Sequence, residues 1–228
     1  MLSAIEEDRI AAAVHEAEEG TSGEVVVVLA KEVSHYPDVA LAYASAVALV
    51  VPPIALAGGL DALIRGNGAQ MWTAAQAGAA IGESGLGFGV FAVVQAVLFV
   101  LVFLLVEITP VRRALTPATL KRHRVDRAAR QQFAALAARA QNSATGVLIF
   151  VALEDRQVRV EAEAALHEKA GDAVWTQAAR AIAREMRAGH DPTRGIIEAI
   201  GLCGAALKAH FPQSGAHASS ISDRPIEI

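Results

Sequence analysis

The stretch that decides the fold lies near the N-terminus, Glu24-Val25-Val26-Val27-Val28-Leu29-Ala30, in which six consecutive apolar residues follow one glutamate. Consecutive β-branched residues favour an extended strand, and a run without polar alternation indicates a strand that is buried on both faces. Such strands are typical of parallel sheets that are covered by helices on both sides. A second all-apolar run, Val147–Leu153, has the same character. We therefore expect the two runs to lie side by side in one sheet.

Helical patterns flank both runs. Ser3-Ala4-Ile5-Glu6 is a capping-box sequence and Gly20 ends the helix that it begins. Thr116-Pro117 starts a second helix, and Val158–Ala162 follows a polar turn and predicts a β-hairpin with the second apolar run. These patterns predict an α/β fold, specifically an α/β/α sandwich with a small mixed sheet.

The segment between the two runs is nearly free of charge. Residues 39–106 contain only Asp61, Arg65 and Glu83, although charged residues make up 19% of the whole chain. Two uncharged runs, 39–60 and 86–106, each have the roughly 20 residues needed to cross about 30 Å of hydrocarbon. A buried helix of a soluble protein is the alternative for the first run, which also contains Pro52-Pro53. The pattern predicts a transmembrane hairpin of two helices that interrupts the α/β domain.

Charge also predicts the orientation of this hairpin. The chain starts with acidic residues and lacks the basic region of a signal peptide. Basic residues follow the second run closely: Arg112, Arg113, Lys121, Arg122, Arg124, Arg127 and Arg130. Because positive charge stays on the cytoplasmic side, we expect a cell-membrane (inner-membrane) protein with two spans and both termini cytoplasmic.

The domain organisation follows from these assignments. Residues 1–38 and 107–211 are each too small to bury a core, so we expect them to form one domain around the inserted hairpin. Residues 212–228 are predicted to be a disordered tail, although its Pro225–Ile228 end could dock on the domain.

The order of elements resembles the TPM domain family, which includes thylakoid phosphatase-like proteins, photosystem-repair proteins and many bacterial membrane proteins. The resemblance rests on Thr21-Ser22-Gly23-Glu24-Val25-Val26-Val27-Val28, on Thr145-Gly146-Val147-Leu148-Ile149-Phe150-Val151-Ala152, and on the segment from Arg187-Ala188-Gly189 to Gly195. It implies an α/β/α sandwich. Some family members are acid phosphatases and others bind calcium, so the resemblance implies one of these activities as an alternative to simple binding.

Carboxylates near the strand ends are the candidate metal ligands. Parallel strands bring their carboxyl ends to the same edge of a sheet, which is where ligands bind in open α/β folds. Glu32, Asp38, Glu154 and Asp155 follow the two apolar runs, so calcium or magnesium is the cofactor that they would hold. Two further pairs, Glu163 with His167 and His15 with Glu19, also have metal-ligand spacing, or they are solvated surface residues. The single cysteine, Cys203, lies on an apolar helical stripe and is expected to be a core thiol.

The basic cluster has two interpretations. It is an orientation signal, or it also contacts anionic lipid headgroups through Arg112, Arg113, Lys121, Arg122 and Arg124. The net charge of −4 argues against nucleic acid as a partner. No assembled catalytic set is readable, and a channel or transporter would require intramembrane charge pairs that the spans lack. We therefore expect a non-catalytic binding or assembly module at the cytoplasmic face for membrane or envelope components, with the lipid bilayer and another membrane or envelope protein as its partners. The alternative is a metal-assisted phosphatase that acts near the bilayer surface.

Overall fold

The computed structural model describes residues 3–33, 37–57, 86–139, 146–213 and 222–228. The elements, in chain order, are α1 (Ala4–Glu18), β1 (Glu24–Ala30), α2 (Pro37–Ala57), α3 (Leu86–Glu107), α4 (Thr109–Leu115), α5 (Ala118–Arg139), β2 (Gly146–Ala152), β3 (Gln157–Ala162), α6 (Ala164–Ala170), α7 (Asp172–Ala188), α8 (Thr193–His210) and β4 (Ile226–Glu227). They form two compact units. One combines residues 1–34 with 118–228, and the other runs from 35 to 117.

The first unit is built on one sheet with the strand order β3-β2-β1-β4. β1 pairs in parallel with β2 along its whole length, from Glu24 opposite Gly146 to Ala30 opposite Ala152. β3 returns antiparallel to β2, and β4 lies parallel to β1 on its other side. The predicted pairing of the two apolar runs, the β-hairpin formed by β2 and β3, and the mixed sheet are therefore confirmed.

Helices cover the two faces of this sheet. Alternate residues of β1, including Val25 and Val27, join the larger core with residues of α1, α7 and α8. The residues between them, Val26 and Val28, pack with Phe150 and with α5. Every residue of β1 is buried, which explains why the run carries no polar alternation.

The contact between α1 and α8 is unusually close. At Gly204 an added Cβ would lie 2.7 Å from the Cβ of Ala17 and 2.9 Å from its Cα. Glycine is required there because the backbone of α1 occupies the space that a side chain would need. Gly201, one turn earlier on α8, has no atom within 4 Å of such a Cβ.

The end of the chain differs from the disordered tail predicted for residues 212–228. Ile226 and Glu227 pair with Val28 and Leu29 as β4, so the docking of the Pro225–Ile228 end is what the structure has. Ile228 extends the pairing: its N–H donates to the Leu29 carbonyl at 2.9 Å and its carbonyl accepts from the Lys31 N–H at 3.0 Å. The disorder predicted for residues 214–221 lies outside the described residues.

The second unit contains the two apolar helices α2 and α3. Ala40, Ala44 and Ala48 form a buried row on α2, and the Gln95 amide of α3 donates to the Ala48 carbonyl at 3.2 Å. Small side chains at four-residue spacing let two helices approach closely. α2 continues through Pro52 and Pro53.

The prediction of two membrane spans is supported only in part. Among the described residues, one segment, Pro37–Ala55, is long and apolar enough to cross a bilayer. The apolar segment Phe91–Glu107 is shorter, and so the structure does not support the two-span hairpin. The predicted outer segment, 61–85, lies outside the described residues.

Candidate functional site

The predicted metal ligands belong to two different units, with only Asp38 in the second. Glu32 and Glu154 come just after β1 and β2, and the Glu154 N–H donates to the Lys31 carbonyl at 3.1 Å. Asp155 lies in the β2–β3 turn with a buried side chain. Asp38 belongs to the first turn of α2 in the other unit. Within the described ranges, no three histidine, cysteine or acidic side chains form a group that could hold a metal ion. The divalent-cation assignment therefore stays a prediction.

The other candidate pairs take structural positions. Glu163 is the N-cap of α6. The Nδ1 atom of His167 lies 3.0 Å from an Asp172 carboxylate oxygen, so the hydrogen-bond partner of His167 is Asp172 and not Glu163. His15 lies 3.9 Å from the exposed Glu19 and 3.3 Å from the half-buried Asp223, so its partners are surface carboxylates. Cys203 is completely buried, and burial raises the pKa of its thiol to about 12, which excludes it as a nucleophile at neutral pH.

The predicted headgroup contacts also separate. Arg112 has a buried side chain that pairs with Glu107 at 3.6 Å, so it does not present a charge to solvent. Lys121, Arg122 and Arg124 lie on α5 in the α/β unit. The side chain of Arg113 lies outside the described residues.

A basic cleft lies along β3, the edge strand of the sheet. Its volume is about 780 Å³, and residues 156–161 of the edge strand and its preceding turn line it. α5 supplies one wall through Arg122, Asp126 and Arg130, which are spaced at four residues and so share a helix face. α7 supplies the other wall, where the small side chains of Ala179 and Ala183 leave the cleft open.

Arginine dominates the charge of the cleft. The lining contains six arginines and three carboxylates, a formal surplus of three positive charges in a chain whose net charge is −4. The six are Arg122, Arg130, Arg156, Arg159, Arg180 and Arg187. Because low-dielectric walls focus the field of such a group, the cleft attracts anions despite the negative charge of the whole protein.

Two of the three carboxylates pair with arginines within the cleft. Asp126 of α5 forms a close ion pair with Arg159 of β3. Glu161 lies 4.0 Å from Arg130, and the third carboxylate, Asp172, lies 3.0 Å from the Nδ1 atom of His167. Arg159 and Glu161 project from the face of β3 that α5 covers, because they stand opposite Phe150 and Leu148. The first two pairs therefore connect α5 to the edge strand and hold one wall of the cleft in place.

Four arginines remain for a ligand. Arg122, Arg156, Arg180 and Arg187 are exposed, and none of them has a hydrogen-bond or ion-pair partner within the described ranges. Arg156 adopts a positive φ of 50° at the end of the β2–β3 turn, a conformation that non-glycine residues adopt at a cost of roughly 1 kcal/mol. A guanidinium group presents parallel N–H donors that match a carboxylate or phosphate.

Trp175 adds a neutral donor to the same lining. The residue is only 4% exposed, and its indole Nε1 has no acceptor in the part of the chain that the structure describes. Its ring packs edge-to-face on His167, with 5.9 Å between the ring centres. A buried N–H without an acceptor is costly, so an acceptor that enters the cleft would gain from satisfying it.

Sequence reasoning found only part of this cleft. It assigned Arg122 and Arg130 to the membrane-side basic cluster and did not identify Arg159, Arg180 or Arg187 as site residues. The seven-residue spacing of Arg180 and Arg187 places both on one face of α7, and this spacing is readable from the sequence. Which helix faces the strand edge was not readable, because it depends on how α7 packs on the sheet.

Comparison with known proteins agrees with the architecture. The chain is similar to the BA42 protein from the psychrophilic bacterium Bizionia argentinensis, whose NMR structure has a TM-score of 0.54 to this chain. The two are 17% identical, and the alignment covers 100% of this chain and 95% of the other, a level that shows a shared fold. No curated protein sequence matches the chain. Residues 112–206, which include α5, β2, β3 and all of the cleft lining, match the model of the TPM domain family.

Proposed function

We propose that this protein is a membrane-anchored binding module whose α/β domain takes an anionic segment of a partner protein into the basic cleft along β3. One observation carries the proposal: four exposed arginines line a single cleft without partners among the described residues. Charge that serves only solubility or fold stability is more often balanced or spread over the surface. The site therefore supports binding, and membrane or envelope proteins are the partners that an anchored module would meet.

Membrane anchoring is supported by where the apolar surface lies. The large hydrophobic side chains exposed in the described residues fall almost entirely in the second unit, on α2, α3 and their neighbours. Only Ile5 and Ile228 lie in the α/β unit. Exposed apolar patches of this extent are disfavoured in water and favoured in lipid. The basic residues after α3 favour the cytoplasmic side for both termini.

A binding experiment tests the cleft. The full chain, kept in non-ionic detergent, is titrated with poly-L-glutamate in an isothermal calorimeter. Binding should weaken as the salt concentration rises from about 50 to about 300 mM, because salt screens the interaction between charges. Arg180→Gln with Arg187→Gln should weaken binding about tenfold, at up to about 1 kcal/mol for each exposed pair. Arg9→Gln with Arg194→Gln is the matched control, since both arginines lie outside the cleft lining. Equal affinity for both double variants contradicts the proposal.

A topology experiment tests the anchoring separately. Reporters fused at residues 20, 70 and 215 should place the first and last in the cytoplasm and the middle one outside. Alkaline carbonate should leave the protein in the membrane fraction. Release of the chain by carbonate would show that the apolar helices do not span the bilayer.

A further inference from the structure

We infer that the basic cleft binds its partner by strand addition: an extended acidic segment pairs with the outer edge of β3 and extends the sheet. The inference rests on the proposed function, because it specifies the ligand of the same cleft. It differs from simple anion binding because the backbone of the ligand, and not only its charge, takes part.

β3 is an edge strand of the sheet. It lies at the end of the strand order, and within the described residues no strand pairs with its outer edge. The opposite edge of the sheet is different, because β4 covers part of β1 there. An exposed strand edge presents unpaired N–H and C=O groups that can pair with an incoming chain.

The backbone groups of β3 alternate between its two edges. The Glu163 N–H donates to the Gly146 carbonyl, which sets the alternation of hydrogen-bonded residues along the hairpin. By that alternation Gln157, Arg159 and Glu161 direct their backbone groups toward β2. Val158 and Val160 direct theirs outward, into the cleft that they line.

Arginines lie on both helical walls of the cleft. A strand that pairs with β3 would project alternate side chains toward α5 and toward α7. Arg122 lies on the first wall, and Arg180 and Arg187 lie on the second. Arg180 and Arg187 are about 10 Å apart along α7, at 1.5 Å per residue, and carboxylates spaced at two to four residues on a strand span about 7–13 Å. The spacing of the charges therefore fits a β-strand with acidic residues at alternate positions.

Edge protection is the competing explanation, since charged residues on edge strands prevent aggregation. Three of the four unpartnered arginines lie on the flanking helices and not on the strand. Arginines on the helices do not shield the backbone groups of β3, but they can contact the side chains of a strand that pairs with it. This placement favours a binding role.

The test uses the full chain in non-ionic detergent and a fluorescent peptide, Glu-Thr-Glu-Thr-Glu-Thr-Glu. Fluorescence anisotropy should show saturable binding that falls about tenfold with Arg180→Gln and Arg187→Gln together, and that is unchanged with Arg9→Gln and Arg194→Gln. The decisive probe is the same peptide with N-methyl groups on two adjacent central amides, one on each edge of the strand. The methylated peptide keeps every charge, but each edge of its strand lacks a central N–H donor. Its affinity should fall at least about tenfold, which corresponds to the loss of about one to two hydrogen bonds. The same peptide with only its first amide methylated is the control.

The outcomes separate the two proposals. If the doubly methylated peptide binds as tightly as its control, strand addition is wrong and anion binding by the cleft stands. If poly-L-glutamate binds through the arginines but the alternating peptide does not bind at all, strand addition is also wrong. If neither ligand binds the full chain, both proposals fail. Binding of the alternating peptide that survives loss of both arginines would place its site elsewhere.

Discussion

The packing of α1 on α8 provides a quantitative test of the fold, since two glycines on one helix differ only in their surroundings. Gly204→Ala would place a Cβ 2.7 Å from Ala17 Cβ and 2.9 Å from Ala17 Cα. The second atom belongs to the backbone of α1 and cannot rotate away, so the helices must separate. Gly201→Ala would place its Cβ in open space.

The expected magnitudes follow from two terms. Alanine stabilises a helix interior by about 1 kcal/mol relative to glycine, and this term is common to both variants. Overpacking costs about 1–3 kcal/mol, and only Gly204→Ala has it. We expect Gly201→Ala to raise the free energy of unfolding by up to about 1 kcal/mol and Gly204→Ala to lower it by up to about 2 kcal/mol. The difference between the variants isolates the cost of the close contact.

Urea unfolding of the full chain, followed by circular dichroism, measures this difference. The midpoint should move in opposite directions for the two variants while the slope stays constant, because the surface exposed on unfolding is the same. Equal stability of the two variants would refute the described packing of α1 on α8.

Three further predictions concern single residues. Arg156→Gly should raise the free energy of unfolding by up to about 1 kcal/mol, because relief of the positive φ (about 1–2 kcal/mol) outweighs the extra freedom of glycine in the unfolded chain (about 0.5–1 kcal/mol). Thermal unfolding of this variant at a lower temperature than the parent chain would contradict the turn conformation. Cys203 should react with a thiol reagent at about pH 8 only after denaturant is added, since the raised pKa keeps the native thiol protonated. The free energy of unfolding should fall as pH rises from about 9 toward 12, because the thiol ionises more readily in the unfolded chain. Rapid labelling of the native chain would exclude this burial. Hydrogen bonds from the Ser3 backbone and side chain lower the pKa of Glu6. The stabilising effect of Glu6 should therefore be present above its ordinary pKa of 4.5 and be lost as pH falls through the lowered value. Ser3→Ala should return the pKa of Glu6, followed by NMR titration, toward the ordinary value, and an unchanged titration would argue against the capping box.

The α/β core could be predicted from sequence because its signals are local and strong. Two β-branched runs without polar residues allow few arrangements other than neighbouring buried strands, and the Ser3–Glu6 capping box starts α1 as expected. The last strand was harder: only Ile226 and Glu227 pair with β1, and two residues carry no periodicity. Its docking depends on the open edge of β1, which only the assembled sheet reveals.

The candidate site could not be predicted as a site for the same physical reason. Arg122, Arg159 and Arg187 are far apart in sequence, and only the hairpin and the packing of α5 and α7 bring them to one cleft. Sequence reasoning placed ligands where parallel strands end, near Glu32 and Glu154. That rule predicts ligand sites at the carboxyl ends of strands, and it does not predict sites along the outer edge of a sheet.

The long separation between β1 and β2 affects biosynthesis. Glu24 pairs with Gly146, so about 120 residues, including both apolar helices, leave the ribosome after β1 and before its partner. At a synthesis rate of about 5–20 residues per second, the four consecutive valines of β1 stay without the neighbouring strand that buries them for roughly 6–24 s. During that interval the run is a hydrophobic segment of the kind that chaperones shield. Slow codons or a stalled insertion of α2 would lengthen the exposure, and aggregation of the nascent chain would increase without any change in the stability of the finished protein.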